Sequence, residues 1–317
     1  MIANKSKRIS GSAAEGQRLR RRRVIGDNIL GTAMASAPFL EFILFSTIPM
    51  AFSLYISFMD LRTVVLDAAQ PVGWDNYKRL LDSSDTFMAM ANTAKYCLHV
   101  VINLITAVFL ANMLATKRVL GKSAVRVIYF LPAVVPGVAA TVMWSWIFNE
   151  NYGLLNQLLG TLGFGKFEPY TNADHFIPAV WLLRLWVGGT NIVLLQSAFA
   201  GVNKSLQEAA RLDGATERKV FWKITLPQIS PTIFYLLIMN FVAAAQELAT
   251  MQVFANNTIG PGGRALTVAY YLRRMVGEEV QAKGYGMASA MSWMFSILLI
   301  VFTRLCFRAS NKIVSYD

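Results

Sequence analysis

Histidine and cysteine are almost missing from this chain, with two of each in 317 residues. His99 and His175 are far apart, as are Cys97 and Cys306, so no stretch has the ligand spacing of a metal site or the cysteine pattern of a disulfide framework. No nucleophile or paired acid stands in a catalytic pattern, which puts an integral-membrane enzyme last among the function classes. Gly11 to Gly16 has the glycine spacing of a phosphate loop, but Gln17-Arg18 stands where Lys-Ser/Thr is required and no strand precedes it, so no nucleotide site is expected. No inverted repeat is visible either. Charge is also scarce, at 15% of residues, and acidic side chains are the scarcer sign, 18 against 30 basic, for a net charge of +12.

Apolar residues fill the space, at 55% of the chain. Six segments are long enough to cross a bilayer, at roughly 30–58, 94–115, 125–148, 177–200, 232–254 and 285–307. The first follows a basic run as a signal peptide would, but its apolar stretch is longer and lacks a convincing cleavage site, so we expect a retained anchor. Counted connection by connection, twenty Lys and Arg fall on one side and eight on the other, which places both termini in the cytoplasm. Residues 1–28 form a basic cytoplasmic arm, 29–310 a six-span domain and 311–317 a short tail. Pro38 and Pro49 imply kinks in the first span, and Leu131-Pro132 with Pro136-Gly137 imply a broken or strongly bent third span. Thr93 is a plausible cap for the second.

Between the two apolar segments 177–200 and 232–254 lies a charged insert, 203–231, which reads as a short helix, a turn and a second amphipathic helix. Ser205 and Glu208 have capping-box spacing, Asp213-Gly214 breaks the helix, and Pro227 and Pro231 stop its successor. Glu208-Ala209-Ala210, Asp213-Gly214-Ala215, Phe221, Ile224, Leu226-Pro227 and Pro231 together resemble the EAA loop of the permease subunits of binding-protein-dependent ABC importers. Weaker likenesses to carbohydrate permeases, above all the maltose-type first subunit, occur at Gly73 to Tyr77, Trp144 to Asn156, Gly260 to Gly263 and Gly284 to Ala290.

Polar side chains inside the apolar segments mark candidate interior positions, because hydrocarbon does not solvate them. Arg184, Trp186 and Asn191 lie in the fourth, and Asn240, Gln246 and Glu247 in the fifth, where Asn240 and Glu247 are two helical turns apart. An aromatic beside an amide suits sugar recognition, and Glu247 either meets substrate or pairs with a cation such as Arg184. Asn103 is assigned to bonding another helix, and the small residues at 284, 286, 288 and 290 to close helix packing.

The resemblance implies an all-α membrane protein with the type I ABC importer permease fold and a cytoplasmic coupling helix, carrying no cofactor and no catalytic residue of its own. It implies ATPase coupling through Glu208, Ala209, Ala210, Asp213, Gly214 and Ala215, and a substrate path along Trp186, Asn191, Asn240, Gln246 and Glu247. The partners implied are a second homologous permease, two ATPase subunits holding ATP and Mg, an extracytoplasmic solute-binding protein and a sugar, in a bacterial or archaeal cell membrane. The competing reading is a proton-coupled secondary transporter using Glu247, Glu41 and Arg184.

Overall fold

The computed structural model describes residues 31–310 except 33, 64, 66–68 and 116–120. The basic arm before residue 29, its glycine-rich stretch and the tail from 311 lie outside the described residues.

The chain divides into two compact units, 1–57 and 58–317. In the first, helix α1 (Met34–Ile56) is apolar and long enough to cross a membrane, and exposes residues on every side. Its middle is a π turn, Ile43–Thr47, closed by the Ile48 N–H on the Ile43 carbonyl. Pro49 follows two residues later. A proline ring clashes with the carbonyl four residues back, and widening the preceding turn relieves that clash without ending the helix.

The second unit starts with a two-residue hairpin, β1 (Met59–Asp60) against β2 (Gln70–Pro71), which periodicity in so short a stretch does not reveal. Helix α2 (Asp75–Asp82) is tied back to it by buried Asn76, whose amide donates to the Met59 carbonyl at 2.9 Å. Helix α3 (Ser84–Ala115) runs unbroken for 32 residues. It begins ten residues before the expected span, so Thr93 is no cap. Its hydroxyl donates to the Ala89 carbonyl and accepts the Val268 N–H, joining distant parts of the chain.

The third segment is broken as expected: α4 (Lys122–Val134) and α5 (Gly137–Ile147) meet at 105° across Val135-Pro136. After α6 (Leu154–Thr161), the fourth is also bent, by 48°, between α7 (Ala173–Val187) and α8 (Gly189–Gly201), which no proline announces. Helix α9 (Lys204–Leu212) and the long helix α10 (Glu217–Ala245) follow. Here the expectation that Pro227 and Pro231 stop a helix is overturned. A π turn, Phe221–Thr225, precedes Pro227 just as one precedes Pro49, and Ser230 Oγ donates to the Pro227 carbonyl that Pro231 leaves free, at 2.7 Å. The amphipathic connector and the fifth span are therefore one piece.

After α11 (Ala249–Phe254) and α12 (Val268–Gly277), helix α13 (Val280–Ser310) passes Gly284 at φ 76°. That kink lets the Tyr285 N–H reach the Leu61 carbonyl at 2.6 Å, and a Cβ on Gly284 would crowd the same carbonyl. Gly284, Gly286, Ala288 and Ala290 are all buried, as close packing requires. Among the described residues four helices are individually long and apolar enough to cross a membrane, or up to six spans if each bent pair counts as one.

Candidate functional site

The α7–α8 bend and the end of α10 meet, beside α3, at a polar cavity of about 180 Å³. Val187-Gly188 interrupts the fourth span, and the Gly188 N–H bonds the Leu185 carbonyl three residues back, leaving the Arg184 carbonyl to accept from Asn103 Nδ2 at 3.1 Å. Asn103 thus bonds another helix, as assigned. Both glycines of the bend are dictated by space. A Cβ on Gly188 would overlap the Asn103 amide, and one on Gly189 the Tyr129 carbonyl of α4.

Arg184 projects from that bend into the cavity. Its Nε donates to the Tyr96 hydroxyl at 2.6 Å and its Nη2 meets Glu247 Oε2 at 2.6 Å. Helix α10 ends at Ala245, so Asn240 and Glu247 do not share one continuous helical face. The break instead frees Glu247 Oε1 to accept the Thr250 N–H and hydroxyl at 3.0 and 2.9 Å, where a carboxylate suits the start of α11. Glu247 is thereby the paired cation-partner of the two roles offered by the sequence, while still lining the cavity. Asn240 Nδ2 donates to Asn191 Oδ1 at 3.1 Å and to the Leu236 carbonyl at 2.7 Å, joining α8 to α10.

Of the five residues expected along the path, Asn191, Asn240 and Glu247 line the cavity, and Trp186 and Gln246 do not. Trp186 lies two residues beyond Arg184, close to the opposite side of α7, and sets its ring edgewise to Trp144 at 6.0 Å. Gln246 is exposed at the end of α10. Tyr96 and His99 were not read as site residues, yet with Asn103 they line the cavity at spacings of three and four. That helical periodicity of polar groups inside an apolar segment was the available signal. The His99 Nδ1 faces the Tyr96 carbonyl at 2.6 Å. Among the described residues no His, Cys, Asp and Glu cluster could hold a metal ion.

The second element is the helix–turn at 203–217. Asn203, not Ser205, caps α9: its Oδ1 accepts the Ser205 N–H at 3.0 Å and the Ser205 hydroxyl at 2.7 Å, because the helix starts before the expected cap. Glu208, Ala209 and Ala210 are on that helix, with Glu208 and Ala209 exposed. At its end the Gly214 N–H bonds the Arg211 carbonyl and the Ala215 N–H the Ala210 carbonyl, with Gly214 at φ 80°. This paired closure needs a left-handed residue, and glycine adopts that conformation without a Cβ clash. Asp213-Gly214-Ala215 is thus the helix stop itself.

A family model described as binding-protein-dependent transport system inner membrane component matches residues 103–314. The chain belongs to that family. It is 30% identical to the probable ABC transporter permease protein YesP of Bacillus subtilis, over 98% of this chain and 99% of the relative. It is 28% identical to the diacetylchitobiose uptake system permease protein NgcF of Streptomyces coelicolor, over 93% and 86% of the two chains. In fold it is similar to a chain of a bacterial alginate ABC transporter crystallised with an alginate pentasaccharide-bound periplasmic protein, with a TM-score of 0.78, 22% identity and coverage of 92% and 98%. The architecture is that of a type I ABC permease, and the chain is a transport component of the membrane. The comparisons lend no support to a proton-coupled carrier.

Proposed function

We infer that this chain is the permease subunit of an ATP-driven importer that receives a sugar or oligosaccharide from an extracytoplasmic binding protein and releases it into the cytoplasm. The observation carrying this reading is one continuous helix, α10, that begins beside the EAA helix–turn and ends at the polar cavity. Force applied to α9 can reach Asn240 and Glu247 through a single helical rod. The exposed side of α9 is offered to an ATPase subunit, which together with its pair holds ATP and Mg, since this chain supplies no phosphate loop. The cavity, at about 180 Å³, is below the ~300–1,000 Å³ of ordinary ligand pockets. A second, homologous permease completing it fits that size.

The cavity offers amides, hydroxyls and a guanidinium–carboxylate pair, which is hydrogen-bonding chemistry for sugar hydroxyls. Relatives named for saccharides support the same substrate class. Alternating access follows: the binding protein delivers the sugar outside, ATP closes the ATPases, and α9 and α10 carry that motion to the cavity walls. Both termini are placed in the cytoplasm by the basic residue count.

The test is uptake into proteoliposomes holding the permease pair, its ATPases and the binding protein. ATP-dependent accumulation of a saccharide is expected, unaffected by a protonophore at fixed ATP. Collapse with the protonophore would instead favour proton coupling. For orientation, a cysteine at Ser83 or Thr171 should react with an impermeant thiol reagent applied outside, and one at Ser205 should not. The reverse labelling would invert the topology.

A further inference from the structure

Helix α9 meets α10 at three positions spaced four residues apart, which in a helix lie along one face. At its start the Asn203 N–H donates to Gln228 Oε1 at 3.1 Å. One turn on, Gln207 Nε2 donates to Thr225 Oγ1 at 3.2 Å. At its last turn Arg211 Nε and Nη2 donate to the Glu217 carboxylate at 2.8 and 3.1 Å. The middle rung lands on the π turn that carries α10 past Pro227, and Thr225 there is 5% exposed. The opposite side of α9 has no such ties: Leu206, Glu208, Ala209 and Leu212 are exposed, Leu212 at 89%.

Without the rungs, the Asp213-Gly214 turn would be the natural hinge. It is a single left-handed glycine whose added Cβ would meet nothing within 4 Å, so packing does not hold it. A push on α9 would then fold the turn and leave α10 where it was. Rungs at both ends and the middle of a nine-residue helix remove that freedom. We propose that Gln207 and Thr225, flanked by the Asn203–Gln228 and Arg211–Glu217 bridges, are positioning residues that make α9 and α10 one rigid body, so that displacement of the docked helix reaches the cavity undiminished. This rests on α9 being the ATPase-facing helix and specifies which bonds transmit its motion.

The experiment uses the complete complex in nanodiscs and reads ATP hydrolysis stimulated by the binding protein. Cys306→Ser removes the more accessible native thiol, Cys97 being buried. Thr225→Val and Gln207→Leu should each lower stimulation about five- to tenfold, in the range of ordinary coupling between sites. Thr225→Ser should retain it. The double variant Gln207→Cys with Thr225→Cys should be impaired as purified and recover when a short bifunctional thiosulfonate joins the two thiols. Loss of stimulation on cross-linking would show that α9 must move on α10, and would overturn the proposal, as would wild-type stimulation in Thr225→Val and Gln207→Leu. ATPases that fail to co-purify with the wild-type chain would refute the docking reading itself, a result distinguishable from either.

Discussion

The two ends of α10 are held by different physics. At the cavity, Glu247 and Arg184 have a quarter and a fifth of their side-chain surface exposed and meet at 2.6 Å, with Tyr96 and Thr250 taking up further polar positions. Where solvent is largely excluded, a bond made is strong and a partner removed leaves a charge without solvation. At the cytoplasmic end, Arg211 and Glu217 meet at 2.8 Å but are 41% and 70% exposed, so water and salt compete for that bridge, while the Gln207–Thr225 bond beside it is partly shielded. The cavity end is thus sensitive to single changes. The cytoplasmic end is held by several weaker bonds spread along α9.

The comparison breaks most readily at the bend between α7 and α8. Gly189→Val would drive a side chain into the Tyr129 carbonyl, and backbone cannot yield as a side chain can. A loss of about 3 kcal/mol or more is expected, seen as failure of the complex to survive detergent extraction. Wild-type yield and thermal stability would mean that α4 and α8 are not in contact there.

Next comes the ion pair. Glu247→Leu strands Arg184 and should destabilise by about 2–3 kcal/mol, with uptake nearly abolished. Glu247→Gln keeps one acceptor oxygen, for Arg184 or for Thr250, where Glu247 serves them with two, and should retain ATP-driven uptake at a reduced rate. Equal and full activity in both variants would remove Glu247 from the path. A dead Gln variant whose wild-type parent responds to a protonophore would reassign it to proton transfer.

At the cytoplasmic end, Gly214→Val imposes a β-branched residue at φ 80°, a strain of about 1–3 kcal/mol confined to the turn. Assembly should survive while ATP hydrolysis loses its link to uptake. Normal coupled uptake would show that the left-handed turn is dispensable. The smallest effect is expected at Ser230→Ala, which leaves the Pro227 carbonyl without its hydroxyl, at about 1 kcal/mol. Unfolding in denaturant should register that change, and its absence would indicate that another donor satisfies the carbonyl.

Several of these residues were legible in the sequence and several were not. Asn191, Asn240, Glu247 and Arg184 stood out because a polar group in an apolar segment has few innocuous explanations. Trp186 was drawn in by the same rule and faces elsewhere, because a rule about composition does not state a rotation angle on the helix. Prolines misled at 227 and 231, since a π turn and one serine hydroxyl absorb what a proline removes, and neither has a strong signature in one sequence. The bend at Gly188 was missed because glycine both breaks helices and packs tightly within them, and only the neighbouring Asn103 and Tyr129 decide which.

By itself the sequence determined that this is a multi-helix membrane chain, where its charged connections lie, and which family it joins. Those properties follow from local quantities: the length of apolar runs, the count of basic residues per connection, and the spacing of anchors from Glu208 to Pro231. The tertiary structure alone decided that α9 and α10 are bridged three times, that α10 is unbroken from Glu217 to Ala245, and that Arg184, Tyr96 and Glu247 meet in one cavity. Arg184 and Tyr96 are 88 residues apart along the chain, and which of many polar groups meet across such distances depends on helix rotation and on where each helix breaks. Both are set by packing between segments, which no local pattern encodes.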